Sequence, residues 1–170
     1  MPYEAEAGRI PSMSDQGVSE MLAREIPRHY RKLQEQLHRW VDPLPDAQIW
    51  VCPYTYGNSV GHLLLHVTGN LSYYIGTEIA KSGYVRNRDL EFTSTERLPK
   101  PVLLRNFDAA IEMACRTAAA QQPQEWGTPY TARGEEDAST RFMIFLRCAS
   151  HLQEHIGQIV YLSKEIAKHR

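Results

Sequence analysis

Residues 58–75 read Asn-Ser-Val-Gly-His-Leu-Leu-Leu-His-Val-Thr-Gly-Asn-Leu-Ser-Tyr-Tyr-Ile. Within them Val60, Leu63, Leu64, Val67, Leu71, Tyr74 and Ile75 recur at the three- and four-residue intervals that line one face of an α-helix. Asn58 or Ser59 suits the N-cap, because a short polar side chain can accept a hydrogen bond from the free N–H groups of the first turn, and Gly83 suits the stop. Working outward, the same period marks three more helices. The first spans about Gln16 to Trp40, with Met21, Leu22, Ile26, Leu33 and Leu37 inward and Pro27 placed to kink it. It ends before Asp42-Pro43-Leu44-Pro45, since proline cannot continue the hydrogen-bond ladder. Another begins near Pro99 or Pro101 and ends at Gln122-Pro123, and the last follows Glu135-Glu136-Asp137 almost to the C-terminus. No alternating run of β-branched residues competes with this pattern, so the expected fold class is all-α.

A chain of 170 residues fits one core. The expected organisation is a flexible segment over residues 1–14 and a single helical domain over 15–170. Nineteen Lys and Arg against twenty Asp and Glu give a net charge of −1, which lacks the basic footprint of a nucleic-acid binder. The strongest apolar run, Phe142 to Leu146, is too short to cross a membrane, and the first residues carry no apolar leader. Cys52, Cys115 and Cys148 are odd in number and widely spaced, as expected of reduced thiols. Together these features predict a cytoplasmic protein that works on neither nucleic acid nor membrane.

Two connections are longer than helix pairs usually need. Val41 to Gly57 is rich in proline and aromatics, and Tyr84 to Leu98 is charged, so both are candidate walls of a site. Glu125 to Gly134 can add a short extended piece or hairpin.

Seven histidines scattered at random would give about 0.3 pairs at i,i+4, the spacing that puts two rings on one helical face. There are two such pairs, His62 with His66 and His151 with His155. Imidazole clusters suit zinc, nickel, copper or iron, whereas calcium and magnesium want oxygen. On the last helix, the apolar stripe Phe145, Ala149, Leu152, Ile156 and Ile159 leaves His151, His155 and Gln158 on the flank. On the second helix, His66, Asn70 and Tyr73 fall to one side. If the two flanks face each other, three or four imidazoles meet. The run His151-Leu-Gln-Glu154-His155 also fits H-x-x-E-H, in which the glutamate is the general base of a metallopeptidase. Only fifteen residues follow His155, too few for a downstream acidic ligand, and Glu154 lies nearly opposite the apolar stripe. No G-x-S-x-G elbow, P-loop or dinucleotide fingerprint is present, which leaves Gly57 and Gly61 as turn and packing residues. Arg86 and Arg88 can hold an anionic group or brace their own loop through ion pairs.

Taken together, Asn58 to Leu71, Arg86-Asn-Arg-Asp-Leu-Glu-Phe92 and His151-Leu-Gln-Glu-His155-Ile-Gly-Gln158-Ile-Val-Tyr resemble the DinB-like (YfiT-like) metalloenzyme superfamily over roughly Glu20 to Ala167. The likeness is strongest to a bacterial branch described only as a domain of unknown function. The resemblance implies an up-down-down-up four-helix bundle, often a homodimer, with nickel or zinc held by His66, His151 and His155. His62 stands one turn before the family's ligand position and is left as an extra ligand the pattern does not require. Relatives use low-molecular-weight thiols, as S-transferases or as a maleylpyruvate isomerase.

The function expected from both lines is a three-histidine, metal-dependent enzyme acting on a small molecule, with thiol-dependent transfer as the leading chemistry. Asn70, Arg86, Arg88 and Gln158 are candidates to contact substrate or brace the ligands. The alternatives are a helical metal-binding or interaction protein without catalysis, and a hydrolase using Glu154.

Overall fold

The computed structural model of the protein describes residues 14–134 and 136–168. The expected N-terminal segment therefore lies outside the described residues except for Ser14, and Glu135 is likewise outside. Among the described residues there are five α-helices: α1 (Asp15–Val41), α2 (Val60–Leu71), α3 (Leu90–Thr93), α4 (Lys100–Ala119) and α5 (Arg141–Lys168). Among the described residues there is no strand, only an isolated antiparallel bridge between Pro129 and Thr140. In place of the expected hairpin at 125–134, backbone bonds run from the Tyr130 N–H to the Ser139 carbonyl, from the Arg141 N–H to the Thr128 carbonyl and from the Phe142 N–H to the Trp126 carbonyl.

Local chemistry explains where the helices begin. Ser14 caps α1 by accepting from the Gly17 N–H, and the helix runs on through Pro27. Ser59 caps α2 in a reciprocal box with His62: the hydroxyl accepts from the His62 N–H while the His62 ring receives the Ser59 N–H. The second helix departs from expectation at its far end. After Leu71 it widens into a π-helical turn over Ser72–Thr77, with bonds such as Glu78 N–H to Tyr73 carbonyl at 3.1 Å. The chain then leaves through Lys81 and Gly83, both at positive φ. The single turn of α3 was not foreseen, because four residues are too few to show a period.

Each of α1 and α2 packs against both α4 and α5, and α3 lies on α2. Tyr30, Leu33 and Leu37 of α1 meet Leu103, Phe107 and Ile111 of α4 and Ile144, Phe145 and Ile159 of α5 in one buried core. The Tyr30 hydroxyl donates to the Phe145 carbonyl at 2.7 Å, so the largest polar group in that core is satisfied. The loop after α1 is held in place by Lys100, whose ammonium donates to the Asp42 and Leu44 carbonyls. Trp50 of that loop lies against α2 at Gly61, where a Cβ would stand 2.6 Å from the indole. Its Nε1 donates to the Leu98 carbonyl at 3.0 Å, joining the two long connections. Cys52 is exposed, Cys115 and Cys148 are buried, and all three are free thiols. Among the described residues no helix is long and apolar enough to cross a membrane.

Candidate functional site

Packing α2 against α5 brings the flank of one onto the flank of the other. His66 projects from α2, and His151 and His155 project one turn apart from α5. One ligand nitrogen of each ring lies within 4.8 Å of the other two, an arrangement that could hold a metal ion. The rings stand nearly at right angles, with His66 at 72° to His151 and 85° to His155, and centroids 5.0 and 4.8 Å away.

On His66 and His155 the nitrogen facing away from the cluster is tied back. His66 donates from Nδ1 to Glu91 Oε2 at 2.7 Å, which leaves Nε2 as the nitrogen that meets His151 Nε2 at 2.9 Å. One hydrogen serves that contact, so one of the two Nε2 atoms offers a lone pair. His155 turns Nδ1 to Gln158 Oε1 at 2.9 Å, and its Nε2 is buried with no hydrogen-bond partner. Burial, reinforced by the neighbouring His155 and His66, pulls the His151 imidazole down to about 3. Burial also lowers His155, against the opposing hydrogen bond from Gln158. Both rings are thus uncharged at neutral pH, the form in which imidazole donates a lone pair.

Glu91 reaches His66 from α3, the single helical turn within the connection that follows the π-helical turn. Burial alone would raise its carboxyl, but hydrogen bonds from Arg86 and His66 reverse the sign and hold it below the usual carboxylate value. Arg86 grips it with both arms, Nε to Oε1 at 2.7 Å and Nη2 to Oε2 at 2.9 Å. The side chains of His66, Glu91 and Arg86 are only 5 %, 6 % and 8 % exposed. Asn87 closes the turn that delivers Glu91 by accepting from the Leu90 N–H, and Phe92 packs its ring on His66 with centroids 4.7 Å apart.

A family model described as "Protein of unknown function (DUF1572)" matches residues 18–170, a span that includes the three histidines, Arg86 and Glu91. The chain belongs to the DUF1572 family. No curated protein matches it.

The remaining candidates of this DUF1572 chain fall in different places. His62 is buried at the start of α2, with Nδ1 on Ser59 and its ring edge-on to Trp50, outside the group of three. Asn70 is buried one turn beyond His66, and its Oδ1 has no partner. Arg88 is exposed, its guanidinium 5.6 Å above the Phe92 ring. Glu154 is exposed on α5. Of the two long connections, residues 84–98 wall the histidine group through Glu91 and Phe92, while 41–57 contacts the start of α2, Leu98 and Lys100 of α4. A cavity of about 780 Å³ opens between α2, the same loop and α4. Leu65, Gly69, Glu91 and Met113 line it and the three imidazoles do not, so Glu91 separates this cavity from His66. Glu91 is also the residue that sequence reasoning passed over. The one available signal was an acid five residues after Arg86 in a run of charges, which reads equally well as a solvated loop.

Proposed function

We propose that the chain is a metal-dependent enzyme of the DinB-like (YfiT-like) superfamily. In this reading α1, α2, α4 and α5 form its up-down-down-up four-helix bundle, and His66, His151 and His155 hold a divalent cation, nickel or zinc. The observation that carries the reading is the buried, unpartnered Nε2 of His155 beside His66 and His151. A buried polar atom without a partner is unfavourable unless something completes it. The donor set fits: three imidazole nitrogens suit a borderline-soft cation. His66 Nε2 and His151 Nε2 are 2.9 Å apart, and one nitrogen from each of the three rings lies within 4.8 Å of the others.

When bound, such a cation lowers the pKa of a water or small thiol that completes its coordination and so supplies a nucleophile near neutral pH. The chain's own residues do the positioning. Glu91 holds a hydrogen on His66 Nδ1 and Gln158 engages His155 Nδ1, so both Nε2 atoms keep to the shared side. The superfamily resemblance supports thiol-dependent transfer to a small electrophile as the reaction class. Glu154, exposed on α5, is badly placed as the base of a hydrolase.

The experiment is a panel of low-molecular-weight thiols with a generic electrophile, run on zinc- and nickel-loaded protein. Thiol consumption above background, abolished in His151→Ala, is the expected result. No consumption with any thiol by protein that carries its metal would overturn the enzymatic reading.

A further inference from the structure

Gly69 sits within α2, three residues after His66, where glycine is a poor choice for the helix itself. A Cβ at this position would collide with Glu91 Oε1, and would stand 3.0 Å from its Cδ and 3.3 Å from the Tyr84 hydroxyl. The missing side chain is therefore the space into which the Glu91 carboxylate fits. Arg86 closes on that carboxylate from the loop side, leaving it no freedom to turn away from His66. Fixed in this way, the carboxylate meets His66 Nδ1, and the hydrogen there decides which ring nitrogen is left bare.

We infer that Glu91 is a positioning residue for His66, seated by the notch at Gly69 and locked by Arg86, and that its role is to keep the His66 hydrogen on Nδ1 so that Nε2 is the ligand nitrogen. The inference rests on the proposed metal site for its effect on affinity. The placement of the hydrogen is independent of any metal. A carboxylate behind a ligating imidazole fixes both tautomer and ring orientation, and its loss weakens metal binding by about 10–100-fold.

The test uses the full-length protein in two measurements. In metal-free protein, two-bond ¹H–¹⁵N spectra of the histidine rings read which nitrogen of a singly protonated ring carries the hydrogen. The wild type is expected to show His66 protonated at Nδ1, and Gly69→Ala to lose that fixed state. A wild-type His66 protonated at Nε2 overturns the inference. The second measurement is zinc affinity by competition with a chelator, for wild type, Gly69→Ala and Glu91→Gln, with melting curves of the metal-free forms alongside. Affinity lower by about 10–100-fold in folded variants is expected, and affinity within about twofold of wild type overturns the inference. Should Gly69→Ala not fold, Glu91→Gln and the wild-type spectrum still decide. Wild-type protein that takes up no zinc or nickel refutes the proposed metal site alone, because the spectrum continues to report on Glu91.

Discussion

Nε2 of His66 and Nε2 of His151 lie 2.9 Å apart, although the two residues stand 85 positions apart in the sequence, on α2 and α5. Two unlinked imidazoles this close share a single hydrogen, and the third ring beside them, His155, has a buried nitrogen with nothing to bond. In the proposed reading a divalent cation accepts the lone pairs of this group.

In the proposed reading capping falls to His62 and ligation to His66. Ser59→Ala removes the hydroxyl that receives the His62 N–H and contacts the His62 ring. Chemical denaturation should register a loss of about 1 kcal/mol, while the amount of zinc or nickel bound per chain stays at the wild-type value. A parallel loss of metal would bring His62 into the site.

The fold was legible wherever a period could be seen. Val60, Leu63, Leu64 and Val67 place α2, Ser59 starts it, and Asp42-Pro43 lies where α1 ends. The three histidines were legible because i,i+4 spacing is itself a statement about a shared face. What distinguishes His66 from His62 is not in that spacing, since it depends on which ring meets α5 and which meets Trp50. Glu91 was hidden for a similar reason. It closes a run that opens with the charged stretch Arg86-Asn87-Arg88-Asp89, and it is buried where the chain, having turned back at Lys81 and Gly83, meets a glycine at position 69. The π-helical turn after Leu71 has no signature in composition at all.

One pH effect lies far from the site. His38 of α1 faces Asp108 of α4 at 2.8 Å and Asp42 at 3.0 Å, with Gln34 also donating to Asp108. Burial pulls its pKa down, but the two aspartates outweigh this and leave it above the ordinary 6.5. A folded-state value higher than the unfolded one means the native form binds the extra proton. The contribution is therefore complete below about pH 6.5 and disappears as pH rises through the raised value. For so exposed a pair it amounts to roughly 0.2–1 kcal/mol. Denaturation across that range should show wild type losing this increment and Asp108→Asn, which keeps only Asp42 beside His38, losing a smaller one; equal pH dependence in both would exclude the pairing with Asp108.

Glu154→Gln separates the reaction classes. The side chain is exposed and next to His155 in sequence, so thiol transfer should proceed within about twofold of wild type, as surface substitutions usually allow. Abolished turnover with the metal retained would instead identify a general base and a hydrolase.

The Tyr30 hydroxyl ties α1 to α5 through the core by donating to the Phe145 carbonyl. Tyr30→Phe should cost about 1–3 kcal/mol in unfolding experiments, the penalty for leaving the buried Phe145 carbonyl with one bond fewer. An unchanged midpoint would show that the carbonyl needs only its helical partner.

The most direct measurement is native mass spectrometry of the full-length protein titrated with nickel or zinc, beside a variant with His66, His151 and His155 all replaced by Ala. One ion per wild-type chain and none in the variant is the predicted result. Equal metal content in the two proteins, or none in either, would contradict the account.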